Sequence, residues 1–178
     1  MSKLRNATAA DTPALHELIA RSARGLSGQD YRPQQIEGAL QGAFGVDSQL
    51  LADETYFVVE DQGRIVACGG WSFRSTLFGG DARAGRDSSI LDPKTQAAKI
   101  RAFFVDPQHA RRGIGTLLLE HCERQARARG YARVELMATL PGAKLYAARG
   151  YVGAAMVRFE LGAGEFIEFI PMRKELEA

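Results

Sequence analysis

The turn at residues 110–116 has the residue types and the spacing of a phosphate-binding site. An apolar run at 100–105 precedes it, and an amphipathic helical pattern at 116–129 follows it. Between them stands Arg111-Arg112-Gly113-Ile114-Gly115, in which the glycines let the backbone approach an anion closely. The first amides of a helix have no partner inside it, and the helix dipole adds partial positive charge there. The segment therefore predicts an anion site, to which the two arginines add full charges.

Two better-known phosphate-binding motifs do not fit this turn. A P-loop requires a Lys-Ser/Thr pair after its glycines, whereas Gly115 is followed by Thr116 and Leu117. A dinucleotide-binding turn requires a third glycine, and Leu118 occupies that position. The remaining structural alternative is a plain connection between a strand and a helix, in which glycine only makes the turn.

The composition describes one domain with a hydrophobic core. The chain has 178 residues, of which 46% are hydrophobic, with a mean hydropathy of -0.19. No apolar run approaches the ~20 residues of a membrane span, and the first residues lack the apolar core of a signal peptide. Cys68 and Cys122 lie in strand-like and helix-like patterns, which favours buried thiols over a disulfide or a metal site. We therefore expect a cytoplasmic protein with no membrane partner and no bound metal.

The balance of charge gives no reason to expect a nucleic-acid partner. The formal net charge is +2, from 23 basic and 21 acidic residues. A nucleic-acid-binding domain that uses the arginine-rich helix would need a basic surface interleaved with aromatic residues, which the sequence lacks. Arg124, Arg127 and Arg129 stand near the end of the helix, where they offset its dipole.

Hydrophobic periodicity and turn residues divide the chain into alternating strands and helices. The predicted strands cover 4–8, 56–60, 64–73, 100–105, 132–138, 151–161 and 165–172. The predicted helices cover 12–23, 34–44, 113–129 and 141–149. Residues 74–94 have no clear period, which indicates a functional loop or a partly extended strand. The whole chain, 1–178, is expected to form one α/β domain with a mixed, twisted sheet.

This order of elements resembles the GCN5-related N-acetyltransferase (GNAT) family over essentially the whole chain. Residues 100–115 and the following helix look like the family's acetyl-CoA motif, usually written Arg/Gln-x-x-Gly-x-Gly/Ala. Gly113 and Gly115 match this motif, whereas Ala110 departs from its first position. The resemblance implies that backbone amides make most of the phosphate contacts, and Arg111 or Arg112 could also supply the charge. Residues 143–151 are similar to the family's Ala-x-x-Phe/Leu-Tyr-x-x-x-Gly-Phe/Tyr signature. The resemblance implies an α/β (α+β) fold with a six- to seven-stranded sheet and about four helices.

The resemblance also implies an acyltransferase that uses acetyl-CoA. The acetyl group would pass to a primary amine of a small molecule or peptide, by direct attack in a ternary complex. Pantetheine would pair with the strand end at 103–105, which requires the strands at 100–105 and 132–138 to splay apart. The residues implied in cofactor binding are Phe103, Phe104, Val105, Ala110, Arg111, Arg112, Gly113, Ile114, Gly115, Thr116 and Thr139. For Thr139 a helix-capping role is the equal alternative.

Tyr146 matches the family's general acid, which would protonate the departing thiolate. The alternative is that this tyrosine only packs on the sheet. A backbone amide at Phe104 or Val105 would polarise the thioester oxygen. The residue that removes the proton from the amine is left open, with a water chain and four side chains as candidates. These side chains are Glu54, Asp92, His121 and Glu135.

The acceptor site is expected between the first helices and the hairpins. Tyr31, Trp71 and Phe73, together with the loop at 74–94, are the predicted lining, although Trp71 could equally pack on the first helices. The identity of the acceptor stays open. So does a homodimer, for which the final hairpin and the 74–94 loop are candidate interfaces. A non-catalytic acyl-CoA-binding or regulatory protein with the same fold is the alternative to an enzyme.

Overall fold

The computed structural model describes residues 1–178, which form one mixed sheet of eight strands with helices on both faces. The strands are β1 Lys3–Asn6, β2 Tyr56–Asp61, β3 Arg64–Ser72, β4 Ala98–Val105, β5 Arg133–Thr139, β6 Val152–Gly153, β7 Val157–Gly162 and β8 Glu165–Glu175. The helices are α1 Thr12–Leu26, α2 Pro33–Ala39, α3 Ser48–Ala52, α4 Ile114–Ala128 and α5 Ala143–Ala148. The strand order is β1-β2-β3-β4-β5-β8-β6, and β7 also pairs with β8. Only β4 and β5 run parallel.

The predicted fold class is confirmed, with one strand and one helix more than expected. The predicted strand at 151–161 is divided, because residues 154–156 leave the ladder between β6 and β7. Helix α3 has only five residues, which is too short for a hydrophobic period, and it begins where Asp47 accepts a hydrogen bond from the amide of Gln49 (3.0 Å). Helix α2 ends at Ala39 instead of continuing to residue 44.

The sheet separates two hydrophobic clusters. On one face, α4 buries Leu118, Leu119 and Cys122 completely against the sheet. On the other face, α1 buries Leu15 and Leu18 in the same way, and α2 and α3 cover the rest. Burying such side chains contributes roughly 1.5–3 kcal/mol each, so these two layers hold the sheet between them.

Both cysteines are free and buried, as the sequence predicts. Burial raises the pKa of the Cys68 thiol to about 12 and also raises the pKa of the Cys122 thiol. Neither thiol is therefore ionised near neutral pH. No helix combines the length and the apolar character that crossing a bilayer requires.

The loop at 74–94 contains no regular element, as predicted, and a buried ion pair fixes it to the sheet. Arg101 of β4 and Asp47 are 2% and 3% exposed, and the guanidinium Nη2 lies 3.0 Å from a carboxylate oxygen. The same guanidinium donates to the carbonyl oxygens of Thr76 (3.3 Å) and Gly79 (2.7 Å), which belong to the loop. Arg86 of the loop also pairs with Asp47, at 2.9 Å. Burial lowers the pKa of Arg101, and the charge of Asp47 opposes that shift.

Replacing this buried carboxylate should destabilise the fold. Asp47→Asn leaves the Arg101 guanidinium without a counter-charge in the interior, which should lower the free energy of unfolding by about 3–5 kcal/mol. Urea denaturation measures the change. Glu37→Gln is the control, because the Arg24–Glu37 pair is exposed and its loss should leave the free energy of unfolding nearly unchanged. Equal stability of the two variants would contradict a structural role for the buried pair.

Candidate functional site

The central feature of the sheet is an opening between β4 and β5. The two strands pair only at Ala98 with Val134 and at Lys99 with Glu135, where the two charged side chains also form an ion pair. Beyond Lys99 the strands diverge, whereas the outer edges of both strands stay paired with β3 and β8. The sequence-based expectation that these strands splay apart is therefore confirmed. The opening exposes backbone edges inside the protein, where another chain-like group can pair with them.

A β-bulge in β4 accounts for the bend that opens the sheet. Ala102 and Phe103 together face the single residue Gly69 of β3, and Ala102 has a φ of 53°. The hydroxyl of buried Tyr56 donates to the Ala102 carbonyl oxygen at 2.7 Å, which satisfies the group that the bulge displaces. A Cβ atom on Gly69 would lie 2.6 Å from the Phe103 ring. Glycine at this position therefore lets the ring fold over β3.

A cleft of about 380 Å³ passes through the opening from one face of the sheet to the other. On the α4 face it is lined by Phe103, Leu145 and Tyr146, which belong to or pack against that cluster. On the α1 face it is lined by Phe44, Phe78, Ala102, Phe104, Met137 and Phe169, which belong to or pack against the other cluster. The cleft therefore has one part on each face of the sheet, and these parts are called the α4-side and α1-side chambers.

The glycine turn lies at one end of this cleft. Gly113 has a φ of 80° and caps α4, and Arg111 has a φ of 64°. No protein group accepts a hydrogen bond from the amides of residues 110–116. The first amide after them that has a partner is that of Leu117, which donates to the carbonyl oxygen of Gly113. Nothing lies within 4 Å of a Cβ built on Gly113, so the turn is open on its outer side. This arrangement fits a diphosphate group.

The predicted cofactor-binding residues divide into two groups. Those that line the cleft are Phe103, Phe104, Val105, Ala110, Arg111, Gly115 and Thr139. Arg112, Gly113, Ile114 and Thr116 do not line it: Ile114 is buried in the core, and the others lie on or near the surface. Of the two arginines, only Arg111 borders the cleft, and neither forms an ion pair with a carboxylate. Lys144 of α5 lines the cleft as well, although nothing in the sequence around it predicts a binding role.

Thr139 lies both just before the start of α5 and beside the cleft. Its side chain accepts a hydrogen bond from the amide of Gly142, 3.1 Å away, at the start of α5. It also lines the cleft. The hydrogen bond agrees with the helix-capping prediction, whereas contact of Thr139 with a cofactor stays a prediction.

Tyr146 lies in the wall of the cleft on the α4 face. Its ring packs against Phe103 and Tyr151, with centroids 6.3 Å and 5.7 Å away. Burial raises the pKa of Tyr146, and the proximity of Cys122 adds to the shift. The phenol is therefore protonated at neutral pH and remains so above the usual tyrosine range. Packing in the core and exposure to the cleft coexist at this residue.

The amide of Val105 points toward the cleft. Asp106, the next residue, donates its amide to the Val66 oxygen of β3 at 2.8 Å, so the preceding amide faces the opposite way. The Val105 amide donates to the hydroxyl oxygen of Ser22, a buried residue of α1, at 3.2 Å. Ser22 was not selected from the sequence, since a serine within a helix carries no signal of its own.

The three predicted acceptor residues do not line this cleft, and this expectation is corrected. Trp71 is 2% exposed and packs on the α4 face, where its ring meets Phe73 and Tyr131 and its indole donates to Gln125. Phe73 lies on the same face under the guanidinium of Arg129, 4.4 Å away. Trp71 lies in β3 and Phe73 directly follows that strand, two residues later. The alternation of side chains places both on one face of the sheet, but the sequence alone does not say which face.

Tyr31 is buried beside the cleft, and its hydroxyl links two other segments of the chain. Its hydroxyl donates to the Glu168 oxygen at 2.6 Å and accepts from the Leu140 amide at 2.9 Å. These bonds join the segment between α1 and α2 to β8 and to the end of β5. The neighbouring residue, Asp30, does line the cleft, and it is the only carboxylate that does so.

None of the four candidate bases borders the cleft. His121 packs edge-on against Phe57 at 4.5 Å, and burial lowers its pKa. Glu135 pairs with Lys99 at the closed end of the opening. Asp92 accepts hydrogen bonds within its own turn, and Glu54 lies in a turn before β2 with a φ of 59°. No group of three or more His, Cys, Asp or Glu side chains is placed to hold a metal ion.

Comparison with known proteins gives one family and one fold. The sequence matches the model of the acetyltransferase (GNAT) family over residues 13–151. No curated protein matches the chain in sequence.

Three solved structures illustrate the fold that the chain shares. A GCN5-related N-acetyltransferase from Rhodopseudomonas palustris is 22% identical, with a TM-score of 0.72 over 99% of this chain and 96% of that one. An N-acetyltransferase from Thermoplasma acidophilum, solved in complex with coenzyme A, is 13% identical, with a TM-score of 0.67 over 98% and 99%. The ribosomal-protein-S18-alanine N-acetyltransferase from Escherichia coli is 18% identical, with a TM-score of 0.63 over 100% and 96%.

Proposed function

The chain belongs to the acetyltransferase (GNAT) family, and we propose that it is an N-acetyltransferase whose acceptor is a primary amine. The amine, carried by a small molecule or a peptide, would attack the acetyl donor directly in a ternary complex. The observation that carries this proposal is the cleft through the sheet, which has a turn of unpartnered amides at one end and a protonated tyrosine in its wall.

Acetyl-CoA is the cofactor, and when bound it supplies the acetyl group as a thioester. The amides of residues 110–116 would hold the diphosphate, and Arg111 and Lys144 would add positive charge at the rim of the cleft. Arg111 is favoured over Arg112 because only Arg111 borders the cleft. The diverging edge of β4 at Phe103, Phe104 and Val105 would pair with the pantetheine arm.

The amide of Val105 is the donor best placed to polarise the carbonyl oxygen. It faces the cleft, and Ser22 orients it through the 3.2 Å hydrogen bond. Fixed amides of this kind contribute a few kcal/mol to transition-state stabilisation, about 3–4 kcal/mol where one donor has been removed in other enzymes. The hydroxyl of Ser22 would rotate or exchange its partner as the carbonyl arrives.

Tyr146 would donate the proton that the departing sulfur requires. Because burial raises its pKa, the phenol stays protonated over the whole physiological range. The same burial makes a free phenolate costly, so the Oη–H would donate a hydrogen bond first and release its proton only as the thiol forms. Asp30 would attract the cation at the rim, and the ammonium proton would leave to solvent before attack. The second proton, released from the nitrogen as the amide forms, would restore the phenol of Tyr146 by way of solvent.

The proposal is tested by titrating the protein with acetyl-CoA in a calorimeter and then screening primary amines by mass spectrometry. We expect binding at micromolar concentration and an acetylated amine product. Binding without transfer to any amine of a broad panel would instead support a non-catalytic acyl-CoA-binding protein. An absence of binding by folded protein would contradict both.

Tyr146→Phe should lower the rate of turnover by about 10²–10⁴-fold, since it removes the proton donor, and should leave acetyl-CoA affinity nearly unchanged. Tyr151→Phe is the matched control, because that hydroxyl donates to Glu123 at 2.9 Å in the same aromatic cluster but outside the cleft. In the wild type, loss of the acid form begins only as pH rises through the raised pKa of Tyr146. Tyr146 should therefore cause no fall in rate up to about pH 10. Equal turnover of the two variants would remove Tyr146 as the acid.

Gly113→Val should weaken acetyl-CoA binding by about 10–100-fold, because a β-branched residue at a φ of 80° displaces amides that bind a charged group. Calorimetric titration measures the affinity. Gly164→Val is the control: its φ is 79°, its Cβ would also be in open space, and it lies in the turn between β7 and β8. Both variants should lose similar stability, and only Gly113→Val should lose affinity. Unchanged affinity would mean that the turn does not hold the diphosphate.

A further inference from the structure

The chamber on the α1 face of the cleft has an aromatic wall drawn from four separate segments of the chain. Phe44 follows α2, Phe78 lies in the 74–94 loop, Phe104 belongs to β4 and Phe169 belongs to β8. Their rings pack edge-on or tilted, with centroids 5.8 Å apart for Phe44 and Phe104, 6.2 Å for Phe44 and Phe169, and 5.4 Å for Phe78 and Phe169. These contacts make one aromatic cluster that borders the cleft, in which Phe44 and Phe169 are buried and Phe78 and Phe104 are half-buried.

This chamber is the side from which an acceptor can enter, an argument that rests on the proposed function. The glycine turn and Tyr146 belong to the α4 side of the sheet, so a donor held by them fills that side of the cleft. The opening between β4 and β5 leads from there directly to the α1 side. An amine that reaches the donor from that side passes the aromatic wall.

The charges around the cleft are too few for a polar acceptor. Only three charged residues line it: Arg111 in the turn, Lys144 in α5, and Asp30 in the segment before α2. None of them comes from the segments that form the aromatic wall. An acceptor with several charges would lose its hydration there without gaining partners, whereas an apolar group would replace water at the rings.

Contacts with two arginines, Arg83 and Arg101, hold Phe78 and its neighbour Gly79 in position. The guanidinium of Arg83 stacks on its ring at 4.0 Å and on Phe159 at 5.3 Å, and it donates to the Phe78 carbonyl oxygen at 2.9 Å. Arg101 holds the adjacent Gly79 through the 2.7 Å hydrogen bond. The ring is therefore a preformed surface that does not need to be ordered by a ligand.

From these contacts we propose that the acceptor is a primary amine with an aromatic or similarly flat apolar group, an arylalkylamine. The group lies against the half-buried rings of Phe78 and Phe104, while the ammonium end points toward the opening and is attracted by Asp30, the only carboxylate that lines the cleft. The aromatic wall thus sets which amine is used, and the turn and Tyr146 act on the donor.

The first test compares amines at saturating acetyl-CoA. We expect kcat/KM for 2-phenylethylamine to exceed that for ethylamine by at least about 100-fold, and spermidine and glutamate to be poor acceptors. Better turnover of spermidine or glutamate would overturn the proposal. A parallel titration of CoA-saturated protein with 2-phenylethylamine measures binding without turnover. Binding without acetylation would support the aromatic chamber and contradict the transferase proposal, whereas transfer to other amines with no binding of 2-phenylethylamine would do the reverse.

The second test uses variants that separate the wall from the carboxylate. Phe78→Leu keeps an apolar side chain and should raise KM for 2-phenylethylamine by about 10-fold while KM for ethylamine and for acetyl-CoA stays unchanged. Asp30→Asn should raise KM for both amines alike. Phe73→Ala, which changes a phenylalanine of the opposite face, should affect neither. Because Phe78→Leu conserves the apolar contact, it should fold. An equal effect of Phe78→Leu on both amines would contradict recognition of the aromatic group.

Discussion

The separation of β4 from β5 is the constraint on which the rest of the structure depends. A parallel pair that stops after Lys99 leaves backbone groups of both strands without ladder partners inside a folded protein. The fold tolerates this because β5 is paired along its other edge with β8, because β4 is paired with β3 on both sides of the bulge, and because helices cover both faces of the sheet. The bulge at Ala102 bends β4 while the hydroxyl of Tyr56 satisfies the displaced carbonyl. The opening is thus maintained by its surroundings and does not require a ligand.

The opening also divides the chemistry between the two faces of one sheet. The α4 side provides a helix N-terminus and a buried phenol, which suit an anion and a proton donor. The α1 side provides aromatic rings, which the 74–94 loop completes. That loop has no regular structure of its own. The buried pair of Arg101 and Asp47 holds it against the sheet, as ladder hydrogen bonds hold a strand. The position of the loop and the placement of Phe78 beside the cleft therefore depend on the same arginine.

Local patterns predicted the parts of the site that are continuous in sequence. The turn at 110–116, the strand before it and the tyrosine of α5 each carry a signal within a few residues. The aromatic wall carries none, because Phe44, Phe78 and Phe169 meet only through tertiary structure. Trp71 shows the opposite case: it has the right residue type near the end of a strand, but alternation alone does not say which face of a sheet is which. Helix α3 was not predicted, because its five residues are too few to show a hydrophobic period.

Backbone strain points to the same place as the chemistry. Five residues other than glycine have a positive φ, and two of them, Ala102 and Arg111, border the cleft. Gln62 and Ala163 occupy hairpin turns, and Glu54 a turn before β2, where such a φ is expected. Alanine and arginine have no preference for this region, so each costs of order 1–3 kcal/mol that its surroundings must hold in place. At Ala102 that strain bends the strand beside the opening, and at Arg111 it brings a cation to the rim. The residues that local propensity would least favour are thus the ones that give the site its shape and its charge.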